Sequence, residues 1–482
     1  MTAELARLDL VSIASLIRRG KASSAEVVRA SLDRIEAWQP HINAFIAVEA
    51  DAALDEARRC DEETARGICR GPLHGVPLAF KDAFYRRGKI CSAGSAILRD
   101  SVAGDTATVI DRLERAGMIC LGRLGMSEFA ADPTGHNAHY GACGNPWNPA
   151  YIPGASSSGS GAALGARLVY GSLGSDTGGS IRLPAAACGV VGLMPTHGRV
   201  SRHGVIPRAW SLDRPGPMAR TARDCAELLG IIAGHDPRDS LTSAEPVPDY
   251  RRGLGAGIKG LRIGIPEALG PDVTPEVCNE LDRSQAILRS LGAELRPIRV
   301  PDALGLFRLN DIILKAEAAA IHGKWLRQRP LDYADYFRVR IEAGLLIPAT
   351  QYIEALALRG RMLERFLDES LGEVDLLHYP VIPRALPTLA EATLVADDPE
   401  TLARAASLST YTRLFNYLGV PAISVPCGFD ANGLPVGFQL VARPFGEALL
   451  LRAAHAYQQV TDWHLRMPPA PAPETSTIHQ GA

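Results

Sequence analysis

The stretch Gly171-Ser172-Leu173-Gly174-Ser175-Asp176-Thr177-Gly178-Gly179-Ser180-Ile181-Arg182-Leu183-Pro184 holds four glycines, three serines, an aspartate and an arginine in fourteen residues. Glycines at that density open backbone conformations closed to other residues and let the chain approach a ligand closely. Successive backbone N–H groups in such a loop can converge on an anion. Ser180 ends the glycines, where a hydroxyl could attack an acyl carbon while those N–H groups hold the resulting oxyanion. Taken alone, the stretch also reads as a surface turn, so its neighbours have to decide.

On its N-terminal side, Leu168-Val169-Tyr170 reads as a strand entering the stretch, preceded by the small-residue helix Ala162-Ala163-Leu164-Gly165-Ala166. Before that lies a second Ser/Gly loop, Gly154-Ala155-Ser156-Ser157-Ser158-Gly159-Ser160-Gly161. On its C-terminal side, Cys188-Gly189-Val190-Val191-Gly192-Leu193 is apolar and buried in character. Further out, residues 9–48 read as helical, with Ser23 and Glu26 as a capping box and Val28, Leu32 and Ile35 at helical spacing. Leu78-Ala79-Phe80 reads as a short strand ending in Lys81-Asp82, and Met118–Leu121 as another. Asp105 or Thr106 is placed to cap the intervening helix through Val109, Ile110 and Leu113. Thr221 with Asp224 resembles a second capping box, residues 261–265 alternate like a strand and 275–291 like a helix. Residues 300–370 read as helical; most of their aromatic residues suggest packing, while the region's aromatic and apolar content also points weakly to a pocket tolerant of aryl or alkyl groups. Strands over 421–426 and 437–441 and a helix over 446–460 follow. Helices alternating with strands argue for an α/β fold on a mostly parallel or mixed sheet. No linker divides the chain, so one large domain over residues 1–465 is expected, with a Pro/Ala-rich disordered tail over 466–482.

Composition narrows the class. The chain is 46% hydrophobic and 22% charged, with a formal net charge of −2, so no nucleic-acid or acidic-surface partner is implied. Its nine cysteines are scattered without a Cys-x-x-Cys, and neither a signal peptide nor a membrane-length apolar run is present. These features read as a cytoplasmic protein without a membrane partner. His136 and His139 lie in a Pro/Gly loop, His-Glu-x-x-His is absent, and no metal or other cofactor is expected. No Gly-Lys-Ser/Thr follows the loop at 154–161, and no Gly-x-Ser-x-Gly elbow surrounds Ser180. What remains is a serine nucleophile with no obvious histidine. A lysine can serve as base if burial lowers its pKa from about 10.4 towards neutrality. Lys81 at a strand end is the candidate, and Ser156 a candidate relay.

The run from Gly174 through Ala185, continued by Cys188–Thr196 and Gly198-Arg199-Val200-Ser201, resembles the core of the amidase signature family of serine hydrolases. Gly75-Val76-Pro77-Leu78-Ala79-Phe80-Lys81-Asp82 is similar to the segment bearing that family's lysine. The resemblance implies a mixed central β-sheet covered on both faces by helices, and a triad of Ser180 as nucleophile, Ser156 as relay and Lys81 as base. It implies an oxyanion hole at Thr177, Gly178 and Gly179, supporting roles for Ser157, Asp176 and Arg182, and a cis peptide before the relay serine. One departure matters: the family's Gly-Gly-Ser-Ser-Gly-Gly-Ser reads here Gly154-Ala155-Ser156-Ser157-Ser158-Gly159-Ser160, so Ser157 stays open as the relay.

The family contains free-standing amidases and the glutamine-hydrolysing subunit of the tRNA-dependent amidotransferase. In the latter an acidic residue for the glutamine ammonium is expected near Ser409, a few residues before Asn416, and Ser409-Thr410-Tyr411-Thr412 holds none. The expectation is therefore a free-standing amidase acting on a small-molecule amide, carbamate or ester, with a homodimer compatible. The alternatives are the amidotransferase subunit, or else a non-catalytic binding protein on the same fold.

Overall fold

A computed structural model of the chain describes residues 2–300 and 302–471. Eleven strands form one sheet: β1 Phe45–Val48, β2 Pro77–Lys81, β3 Ile119–Leu124, β4 Gly171–Asp176, β5 Val191–Met194, β6 Arg214–Ala219, β7 Arg262–Pro266, β8 Glu294–Ile298, β9 Leu376–Pro380, β10 Ala422–Phe429 and β11 Pro435–Val441. Their order is β1-β3-β2-β4-β6-β5-β10-β11-β9-β7-β8. Parallel pairs (β2 with β3 and β4, β7 with β8 and β9) join antiparallel ones, so the sheet is mixed. Apolar clusters pack helices against the sheet, making a single large α/β domain.

The stretch around Ser180 is less of a loop than its glycines suggest. Gly171–Asp176 is strand β4, wholly buried between β2 and β6, and Arg182–Cys188 is a helix. Residues 177–181 alone form the connection. The expected strand at Leu168–Tyr170 is instead the turn that leads into β4. Glycine in a strand marks close approach by other groups. A Cβ on Gly174 would sit 2.7 Å from Ser157 Oγ, and one on Gly171 2.8 Å from Leu10 Cδ1.

Other boundaries shift for local reasons. The helical reading of 9–48 resolves into Leu10–Arg18 and Ser24–Ile42, the second opened by the expected Ser23/Glu26 capping box, and then β1. The helix at Thr108–Arg115 starts after Ala107 with no side-chain cap, because Asp105 is held by His203 and Arg87. Thr221 does cap its helix, but Asp224 accepts from Val11 N rather than reaching back. Strand β6 carries Pro215, Gly216 and Pro217, residues that argue against a strand in sequence. Strand β5 pairs with β6 only at Met218 and Ala219, which leaves one side of the proline segment without a strand partner.

At the C-terminal end, Arg167 Nη2 donates to the carbonyls of His464, Leu465 and Arg466. Residues 466–471 form no helix or strand, and residues 472–482 of the expected tail lie outside the described residues. No helix among the described residues is long and apolar enough to cross a membrane.

Candidate active site

Strands β2 and β4 are parallel neighbours, so their C-terminal ends open on the same edge of the sheet, where α/β folds place their ligands. Lys81 is the last residue of β2 and Asp176 the last of β4. Lys81 is 1% exposed, and its Nζ donates to Ser156 Oγ at 2.8 Å and Ser175 Oγ at 2.9 Å. Burial pulls its pKa from 10.5 down to about 7, opposed by the carboxylates of Asp213, Asp176 and Asp132. The next residue, Asp82, is buried against Arg123 and Ser92, which fixes the strand end.

Ser156 is buried and follows a cis peptide bond from Ala155. Its contact with Lys81 separates it from Ser157, whose hydroxyl is buried without a partner among the described residues and whose N–H donates to Ser180 O. The helix Ser158–Gly165 begins just beyond, and its small residues let it press closely on its neighbours. A Cβ on Gly161 would lie 2.8 Å from Pro184 Cβ.

Ser180 lines a narrow, solvent-open cleft with Thr177, Gly178, Asp132, Arg208 and Arg413. The N–H groups of Thr177, Gly178 and Ser180 have no protein partner among the described residues. Gly179 differs: its N–H donates to Asp176 Oδ1 at 2.7 Å. Thr177 Oγ1 donates to Asp213 Oδ1.

The loop is held by a buried network that the sequence showed only in part. Asp176 pairs with Arg182 (Nε–Oδ2 3.1 Å) and accepts from Ile181 N. Burial would raise the Asp176 carboxyl, but Arg182 and Asn416 outweigh it and hold the pKa at about 2. Arg182 also donates to Gln439 Oε1 (2.8 Å), Asn416 Oδ1 (2.6 Å) and Thr412 O. Asn416 donates back to Asp176, and Thr412 Oγ1 to Gly178 O at 2.7 Å. Thr412 and Gln439 were not legible as site residues, because they meet the loop only through the fold, and Ser175, though in the stretch itself, shows its part only once Lys81 is beside it.

Ser409 lies on the cleft wall, accepts from Arg413 Nε and donates to Ala406 O. Among the described residues of the aromatic-rich 300–370 region only Leu314 lines the cleft; Trp325, Tyr333 and Phe337 pack around Phe129 and His322. His136 bonds Thr134 and Leu389 O, and His139 bonds Glu128. Elsewhere, Cys60, Glu63 and His74 offer ligand atoms within 4.8 Å of one another, but Glu63 is engaged by Arg70 and His74 Nε2 lies 3.1 Å from Cys60 O.

The chain as a whole is similar to several known proteins. The chain is 40% identical to a glutamyl-tRNA(Gln) amidotransferase subunit of Methylococcus capsulatus, over 96% of this chain and 99% of that one. A structure from work on a vestigial protein complex and the origins of an s-triazine catabolic enzyme superposes with a TM-score of 0.87 at 34% identity, covering 94% of this chain and 98% of that one. A 6-aminohexanoate cyclic dimer hydrolase solved with its substrate gives a TM-score of 0.87 at 28% identity, covering 96% and 99%. The Amidase family profile matches residues 26–451, which contain Lys81, Ser156, Ser180 and their whole supporting network. With that match spanning most of its length, the chain belongs to the amidase signature family.

Proposed function

We propose that the protein cleaves a carbon–nitrogen amide bond through an acyl-enzyme on Ser180. The observation that carries this reading is the buried Lys81–Ser156 contact at 2.8 Å, with the lysine pKa brought to about 7. Neutral Lys81 takes the Ser156 proton as Ser156 takes that of Ser180, and Ser180 Oγ bonds to the acyl carbon. The N–H groups of Gly178 and Ser180 meet the oxyanion, where one such donor is worth roughly 3–4 kcal/mol. The relay then protonates the leaving amine, and water releases the acid by the same route in reverse. Carbamates and esters fit the same chemistry. All nine cysteines are free thiols, which supports a reducing, cytoplasmic setting.

Two settings are compatible with this chemistry. Membership of an amidotransferase complex is supported by 40% identity over nearly the full chain to subunits of that enzyme. A free-standing amidase is supported by Ser409, a hydroxyl tied to Arg413 where a glutamine ammonium would need an acid. The test is ammonia release from glutamine and from a panel of other amides, by the purified chain alone, with Ser180→Ala as blank. Glutamine as the preferred substrate, with partner subunits copurifying, selects the amidotransferase; turnover of other amides by the lone chain selects the amidase. Failure of Ser180 to react with a phosphonylating probe would refute the acyl-enzyme itself.

A further inference from the structure

A second charged cavity lies at the far edge of the sheet from Ser180. Strand β4 pairs its first residue, Gly171, with Ala219 at the end of β6. Arg220 and the turn before β4 therefore meet at the edge opposite the Ser180 loop, which follows the other end of β4. The six residues of β4, at about 3.3 Å each, put roughly 20 Å between the two edges. Here Arg7, Arg167, Arg220, Arg223, His455 and His464 line a cavity of about 390 Å³. Arg220 is 3% exposed and Arg167 6%. Arg220 spends Nη1 on Ala6 O, while its Nε and Nη2 are buried with no partner among the described residues. The Tyr170 ring lies against its guanidinium at 5.4 Å. Arg167 spends Nη2 on the carbonyls of His464, Leu465 and Arg466 and leaves Nε unpartnered, as His464 leaves Nδ1.

The cations of this cavity outnumber its anions. Asp9 is the carboxylate that lines it, and Arg223 and the Ser12 N–H already occupy its oxygens. Asp224 favours the charge on Arg220, but burial and Asp9 push its own carboxyl up, so it offers less than a full counter-charge. Burial, then Arg220, Arg34 and Arg7, presses the Arg167 pKa down to about 9: the arginines repel one another and still stay charged at neutral pH. Buried charge without a counter-ion is costly, and a bound anion relieves it. We propose that this cavity binds a dianionic phosphate group, free or borne on a small molecule, between Arg220 and Arg167. Two guanidiniums call for two negative charges, and their free N–H groups suit several oxygens of one phosphate better than a single carboxylate. The cavity falls in the size range of small-molecule sites and leaves room beside the phosphate for a short ester group. Its walls come from the N-terminal segment, the middle of the chain and the C-terminal segment, so an occupant ties these together and stabilises the fold. The site is separate from Ser180 and does not depend on the reaction there.

The test is calorimetric binding and thermal unfolding of the full chain with inorganic phosphate, glycerol phosphate, glycerol and acetate at constant ionic strength. It is run on wild type, Arg220→Lys, Arg220→Gln and Arg7→Ala. Inorganic phosphate and glycerol phosphate should bind saturably and raise the Tm, whereas glycerol and acetate should do neither. Tighter binding of glycerol phosphate than of phosphate identifies an ester as the ligand class; equality or the reverse identifies the free ion. Loss of charge-assisted hydrogen bonds should weaken phosphate binding at least about tenfold in Arg220→Lys and abolish it in Arg220→Gln. Arg7→Ala, at an exposed position, should weaken it by a smaller factor. No saturable binding of either phosphate by wild type, an equal response to acetate, or an affinity unchanged in a folded Arg220 variant overturns the site. Should neither Arg220 variant fold, an affinity unchanged in Arg7→Ala overturns it.

Discussion

Lys81 can act as a base only while uncharged, and its surroundings set when that is. With burial bringing the pKa to about 7, the lysine is protonated below that pH and free to accept a proton above it. The rate should therefore climb from about pH 6 to about pH 8 and then level off. A pH profile of kcat/KM checks this, and an optimum in acid would rule out the lysine base. At this scale the sequence was readable where residues sit in long motifs: Lys81, Asp176, Ser180 and Arg182 all fall within them. It could not separate Ser156 from Ser157, since three consecutive serines are chemically equal until one of them faces a lysine.

Among the elements, β4 and its turn show why composition misleads. Four glycines read as flexibility, yet three of them serve close packing or backbone geometry between fixed neighbours. Gly179 has φ +127°, and a Cβ there would run into the Thr412 side chain. Gly179→Ala should cost about 1–3 kcal/mol from that strained backbone alone and displace the Ser180 loop. Thermal unfolding and kcat measured together should both fall; wild-type values for either would show that the turn tolerates a side chain. Strand β6 was invisible for the converse reason, since prolines argue against a central strand unless a stretch of its flank goes unpaired, as here beside β5. By contrast, the Ser23/Glu26 cap and the strands at 77–81 and 422–429 were legible, because their signals are local.

Across the whole molecule, Arg182 ties together parts of the sheet that are far apart in the chain. Its guanidinium joins the end of β4, residue 439 on β11 and the helix Thr410–Leu418. Removing one partner of a buried ion pair leaves the other uncompensated, at a cost of about 3–5 kcal/mol. Arg182→Met should lower the unfolding free energy by that amount in a denaturant titration; a loss under about 1 kcal/mol would mean the network is dispensable. The mixed sheet was expected, but its strand order was not, because β5 beside β10 is a pairing that no local signal encodes. The Lys81–Ser156 bond spans 75 residues, the Lys81–Ser175 bond 94 and the Arg182–Gln439 bond 257. Closing loops of that size is entropically slow and comes with assembly of the sheet itself. The catalytic centre therefore forms only once the segments bearing Lys81, Ser156 and Ser175 have met in the sheet, so recovery of activity on refolding reads out that long-range assembly.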